Sequence, residues 1–199
     1  MNESLNKDKI IVIDFGSQVT KLIARRIREY SVLSEVLTLK DLKKNDIFSN
    51  VKGIILSGGP STVTKGLVPK IPSEIFNLNI PILGICYGLQ LIAKQFKGKV
   101  KAHIKKREFG RAFLIKKKNS LLTKNFFKSK RNIVWMSHQD SVYKLPKGFS
   151  KIASTSQSPM TIVENRQHYP DIYETTSNTG SKKHIHVRCW LLHIHFLAI

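Results

Sequence analysis

Ile10-Ile-Val-Ile-Asp14 is an unbroken apolar run closed by an acid, the pattern of a strand buried on both faces. After Phe15-Gly-Ser-Gln18 the apolar period changes: Val19, Leu22, Ile23, Ile27 and Tyr30 recur at helical spacing, with Lys21, Arg25, Arg28 and Glu29 elsewhere around the wheel. The same alternation continues. Val32 to Leu39 and Gly53 to Ser57 predict a second and a third strand, and Gly58-Gly-Pro-Ser61 forces a loop. Ser73 to Leu78 predicts a short helix, Ile80 to Ile85 a fourth strand, and Tyr87 to Phe96 a further helix. Strands alternating with helices predict an α/β fold, an open, mostly parallel, doubly wound sheet with flanking helices. After Gly98 the texture shortens to strands at 100–104, 111–115, 132–136 and 151–155, split by turns such as Leu145-Pro-Lys-Gly148, which predicts a small antiparallel strand region. No internal repeat or low-complexity linker divides the chain.

Composition narrows this reading in three ways. A chain of 199 residues with 41% hydrophobic residues suits one ordinary domain with one core. Two cysteines, Cys86 and Cys189, make no disulfide framework, and no signal-peptide apolar region opens the sequence, so a reducing, cytoplasmic setting is the expectation. No apolar run approaches the roughly 18 residues of a membrane-spanning helix, so no membrane partner is expected. The net charge of +21 invites a nucleic-acid reading. Between Lys101 and Arg131 basic residues crowd around a single acid, Glu108, with Phe109, Phe113, Phe126 and Phe127 interleaved as if for stacking on single strands. No helix-turn-helix, RNP, KH or zinc-finger spacing accompanies them. The stretch reads first as a solvated, lysine-rich face with edge-protecting charges, and nucleic acid is an unlikely partner.

The chemistry centres on Pro81-Ile-Leu-Gly-Ile-Cys-Tyr-Gly-Leu-Gln90, where a strand pattern meets a helical one at Cys86. A side chain at the tip of a tight strand-to-helix turn needs small neighbours two residues before and after it, and Gly84 and Gly88 stand there. The helix N-terminus below such a cysteine favours its thiolate, the reactive form. A buried, inert cysteine has no need of paired glycines. In an open α/β sheet, functional groups gather at the carboxyl ends of the strands, so Gly58-Gly59 and Cys86 are expected to meet. Backbone N–H groups from that glycine loop and from Tyr87 would then face the oxyanion of an acyl-transfer intermediate.

These residues add up to a resemblance. Ile13 to Glu29, Gly53 to Val63, Pro81 to Val100, Arg107 to Leu114 (REFGRAFL) and Trp135 to Val142 (WMSHQDSV) resemble, in order and at the expected spacings, the class I glutamine amidotransferase domain of GMP synthases. The match covers roughly residues 8–165. The elbow and Gly-Gly-Pro loop point to class I amidotransferases in general, and DFGSQ, LIARR and MSHxD to the GMP synthase branch. The resemblance implies glutamine as substrate, attacked at its side-chain amide by Cys86, with the backbone amides of Gly59 and Tyr87 holding the oxyanion. It implies that Gln90 contacts glutamine and that Ser137, His138, Gln139 and Asp140 lie on the strand and loop gripping its α-amino and α-carboxylate groups. His138 is not the base in this family. The resemblance implies no cofactor in this domain, since ATP and magnesium belong to an ATP pyrophosphatase domain or subunit, the expected partner, for which 199 residues leave no room.

The family takes its catalytic histidine and the acid orienting it from a His-Pro-Glu motif near the domain's end. Ungapped alignment puts Thr176, Ser177 and Asn178 there, so neither a base nor an orienting acid is found. Residues 166–199 lose the family's expected organisation, and a change of reading frame near residue 165 is the hypothesis that the abrupt loss suggests. The pairs His184/His186 and His193/His195 lack the cysteine or carboxylate framework of a metal site, so no metal is expected. The expected function is glutamine hydrolysis for the amination of XMP to GMP, impaired by the missing motif. A catalytically inactive module that docks a synthetase and a nucleic-acid binder using residues 101–131 stand as the alternatives.

Overall fold

The computed structural model describes residues 8–43, 47–102, 108–120, 122–165 and 190–192. Its parallel half follows the hydrophobic pattern closely. Strands β1 (Lys9–Ile13), β2 (Leu33–Leu37), β3 (Val51–Leu56) and β4 (Ile82–Ile85) pair in parallel in the order β2-β1-β3-β4. Each crossover passes through helix or turn: α1 (Thr20–Glu29), a 3-10 turn at Asp41–Lys43, and the short α2 (Ser73–Asn77); α3 (Tyr87–Gln95) follows β4. The alternation within β1 explains why the sheet is wound on both sides. Ile10 and Val12 join Ala24 and Ile27 of α1 on one face, while Ile11 and Ile13 join Leu89 and Ile92 of α3 and Ile75 of α2 on the other. Among the described residues, no helix is long and apolar enough to cross a membrane.

The antiparallel half continues the same sheet. Strands β6 (Glu108–Lys116), β7 (Arg131–His138), β9 (Phe149–Ser154) and β10 (Ile162–Asn165) run in the order β10-β9-β6-β7, and β5 (Lys99–Ala102) pairs with β8 (Asp140–Lys144) in a separate two-stranded sheet. Leu114, Val134, Met136, Ile152 and Ile162 form the core of this half. Phe127 belongs to that core and Phe126 packs against it, so the four phenylalanines of the basic stretch do not form one stacking surface; only Phe109 and Phe113 are exposed.

The two halves are joined by β11 (Trp190–Leu192), which lies parallel to β4 and antiparallel to β10. From sequence, the edge beside Ile162 and Val163 is expected to be left open by the non-matching tail. Instead Ile162 pairs with Leu192 and Val163 with Leu191. The physical reason is the open slot itself: two adjacent strand edges present unpaired backbone groups, and a short apolar segment that fills the slot satisfies both.

Candidate active site

The turn between β1 and α1 builds the first wall. Asp14 Oδ1 accepts hydrogen bonds from the Gly16 N–H at 2.9 Å and the Thr20 hydroxyl at 2.7 Å, closing the turn around Gly16, whose φ of +87° suits glycine. Phe15 is held by its N–H donating to Ser57 Oγ at 3.1 Å. Its carbonyl then sits so close to Gly59 that a Cβ there would lie 2.5 Å from the oxygen, which is why the loop after β3 must carry glycine. A Cβ on Gly58 would lie 3.7 Å from Cys86 Cβ, so the glycine loop and the cysteine do meet at the carboxyl ends of β3 and β4.

Cys86 itself is the N-cap of α3 with φ +49° and ψ −102°, a conformation costly for any residue with a side chain and typical of a nucleophile held on a strained turn. Gly88 shows why the turn can be so tight: its N–H donates to Ser57 O at 3.1 Å, and a Cβ on it would strike Leu56 O at 2.3 Å. The thiol is buried, 8% exposed, and donates weakly to the Ser137 carbonyl at 3.9 Å. Burial pushes it up to about 11; the Tyr87 backbone N–H opposes the rise and the Asp140 charge adds to it. This burial works against the preference for the thiolate expected from the helix N-terminus. Desolvation is the largest of the three influences on the thiol. Tyr87, packed edge-on against Phe15 with centroids 5.5 Å apart, has its own hydroxyl raised by burial.

The other candidate residues divide. Gln90 is buried one turn along α3, and its Nε2 donates to the Asp140 carbonyl at 3.1 Å. The Asp140 carboxylate is hydrogen-bonded by the Thr62 hydroxyl, which also lies 2.7 Å from Thr64 Oγ1. Thus the glycine loop, α3 and the start of β8 are tied together around Cys86. Ser137 contributes its carbonyl to the thiol, whereas Gln139 is exposed between β7 and β8. His138 turns inward: its Nε2 lies 3.1 Å from Glu108 Oε2, which also accepts from the Thr155 hydroxyl at 2.9 Å, and all three residues are buried. Sequence reasoning missed Thr62, Glu108 and Thr155. Thr62 and Glu108 fall inside the Gly53–Val63 and Arg107–Leu114 segments, but only the fold brings them to Asp140 and His138. Thr176, Ser177, Asn178, Cys189 and the tail histidines lie outside the described residues, as do 103–107 of the basic stretch.

A doubly wound sheet carrying a cysteine elbow against a Gly-Gly loop defines a class of acyl-transfer site, and comparison with known proteins gives the family. The family model described as glutamine amidotransferase class-I matches residues 11–174, and the chain belongs to that family. Among curated relatives, a glutamine-hydrolysing GMP synthase of Brachyspira hyodysenteriae is 45% identical over 166 residues, covering 81% of this chain and 31% of the relative. Another, from Prochlorococcus marinus strain MIT 9312, is 48% identical over 168 residues, with 81% and 31% covered. The chain therefore spans about a third of the length of the curated relatives it matches. Among solved structures, a Thermoplasma acidophilum protein superposes with a TM-score of 0.70 at 24% identity, covering 95% of this chain and 84% of that one. A glutamine amidotransferase of Thermotoga maritima superposes at 0.63 with 18% identity, covering 95% and 76%. These two likenesses support the fold.

Proposed function

We propose that this chain is the glutamine-handling part of a GMP synthase, releasing from glutamine the ammonia that a synthetase part uses to aminate XMP. The observation that carries the reading is Cys86 on its strained turn, φ +49°, packed against the Gly58-Gly59 loop. Cys86 Sγ, once deprotonated, attacks the side-chain carbonyl carbon of glutamine. The developing oxyanion accepts hydrogen bonds from the Gly59 and Tyr87 backbone N–H groups. The carbon–nitrogen bond breaks as the nitrogen takes up a proton, ammonia leaves, and water then cleaves the glutamyl thioester to glutamate and the free thiol. Gln90, Ser137, His138, Gln139 and Asp140 form the side of the site that receives the amino-acid end of the substrate.

Proton transfer is the weak link, and the reading includes impaired turnover. A thiol raised to about 11 must hand its proton to a base. The Ser137 carbonyl accepts the thiol hydrogen bond but is no base, and His138 is engaged with Glu108. The positions that carry the family's histidine and acid are filled by Thr176 and Asn178. ATP and magnesium belong to the synthetase part in this reading, and the compartment is the cytoplasm. The test is a glutamine analogue carrying an electrophile. It should modify Cys86 and not Cys189, and glutamine should protect; labelling of Cys189 instead, or no protection, would refute the assignment.

A further inference from the structure

The β6–β7 hairpin has two unlike faces. Leu114, Val134 and Met136 point into the core, while on the alternate positions Phe109, Phe113, Ile133 and Trp135 are each more than half exposed. The register joins them: Phe113 pairs with Ile133 and Arg111 with Trp135, and the Arg131 guanidinium lies 4.9 Å over the Phe113 ring. Helices α1, α2 and α3 all pack on the parallel half of the sheet, and among the described residues none covers this face. Contiguous apolar patches larger than about a few hundred Å² mark interaction sites, and aromatic and arginine side chains are the usual anchors.

Position and charge say what covers it. The patch starts at the reacting centre, because Phe109 pairs with Ser137, whose carbonyl meets the Cys86 thiol. Ammonia released there is protonated in neutral water and loses its nucleophilicity, so a protein that consumes it gains by docking beside the thiol. A second copy of this chain would bring Arg111 and Arg131 and a net charge of +21 against themselves, which like-charge repulsion opposes. A single-stranded nucleic acid fits less well, since Ile133 offers no stacking surface and Phe127 is buried. We infer that the exposed β6–β7 face is the docking surface for the ammonia-consuming synthetase, met by an acidic surface with an apolar centre. This rests on the proposed function.

The probe is the portion of the Brachyspira hyodysenteriae GMP synthase outside the matched segment, first shown to aminate XMP with ATP and an ammonium salt and hence to be folded. The unaltered chain should bind it in a titration. Trp135→Asp and Phe113→Asp should each weaken binding about 30-fold or more, the size of a hot-spot loss. Leu67→Asp, an exposed apolar site elsewhere, should change nothing. Arg111→Glu should slow association and flatten its salt dependence. Labelling of Cys86 by the electrophilic glutamine analogue should survive Trp135→Asp, which shows the fold intact; if it does not, Arg111→Glu decides alone. Four results would overturn the inference: no binding by the unaltered chain, equal binding by the hairpin variants, self-association abolished by Trp135→Asp, or an oligouridylate that binds the same face. Failure of the proposed function shows separately, as binding without labelling of Cys86.

Discussion

At Gly88 a single missing methyl decides the geometry of the site. An alanine there would place its Cβ 2.3 Å from Leu56 O and 2.7 Å from Leu56 Cβ, both parts of a central strand that cannot move aside. Gly88→Ala should therefore push α3 off β3, cost about 1–3 kcal/mol as overpacking does, and abolish labelling of Cys86; urea unfolding and labelling measured together check it. The glycine was legible in the sequence because its constraint is local. The state of the thiol was not. Burial raises Cys86, its thiol meets the Ser137 carbonyl and the Asp140 charge adds to the rise, and both of those residues lie more than fifty positions away in sequence. A consequence follows for pH. Below about 11 the reactive thiolate grows tenfold per pH unit, so alkylation of Cys86 by a neutral reagent should keep climbing past pH 9 and level off only near 11. A plateau at pH 8–9 would mean that the thiol is solvated after all.

At the level of elements, the parallel half was readable and the antiparallel half only in part, for a physical reason. Strands β1, β3 and β4 are apolar on both faces, so their runs stand out whatever the neighbours, and the observed ends fall within two residues of those expected. Strand β8 is short and mostly polar in sequence, and β11 is three residues long, so neither shows a period. What locates them is pairing with distant strands. The same holds for the Glu108–His138–Thr155 cluster, which bolts β6, β7 and the end of β9 together from positions scattered over the chain. Glu108→Ala would leave His138 Nε2 and the Thr155 hydroxyl without their shared acceptor in a buried place, a loss of about 1–3 kcal/mol by the usual cost of unsatisfied polar groups. It should also loosen β7, which carries Ser137 to the thiol, so labelling of Cys86 should change along with stability; an effect on stability alone would show that the cluster is remote from the site. For β11, Leu191→Pro would remove a backbone donor from the centre of the sheet, and the expected result is loss of cooperative thermal unfolding. Unchanged unfolding would mean that the sheet does not depend on that strand.

For the whole molecule the question is whether a fold that presents its nucleophile correctly also turns over. The two are separable in the proposed reading, because the elbow, the glycine loop and the Gln90–Asp140–Thr62 ties are all made by residues 9–165, whereas the position expected for the family's base, Thr176, lies outside the described residues. General acid–base catalysis is typically worth about 10² to 10⁴ in rate. Ammonia release by this chain should therefore fall short of that of the Brachyspira hyodysenteriae synthase by about that factor, and glutamyl thioester on Cys86 should accumulate, because both deprotonation of a thiol near 11 and activation of water need the base. Intact-mass measurement after mixing with glutamine reads the thioester, and a coupled ammonia assay reads turnover. The decisive variant comes from the register of β11. That strand ends at Leu192, paired with Ile85, the residue before Cys86, and His193 is next in sequence. Brisk turnover that is lost in His193→Ala and kept in His184→Ala would show that the tail supplies a base, and the expectation of impaired hydrolysis would fall. Slow turnover, indifferent to both substitutions and accompanied by the thioester, is the result expected.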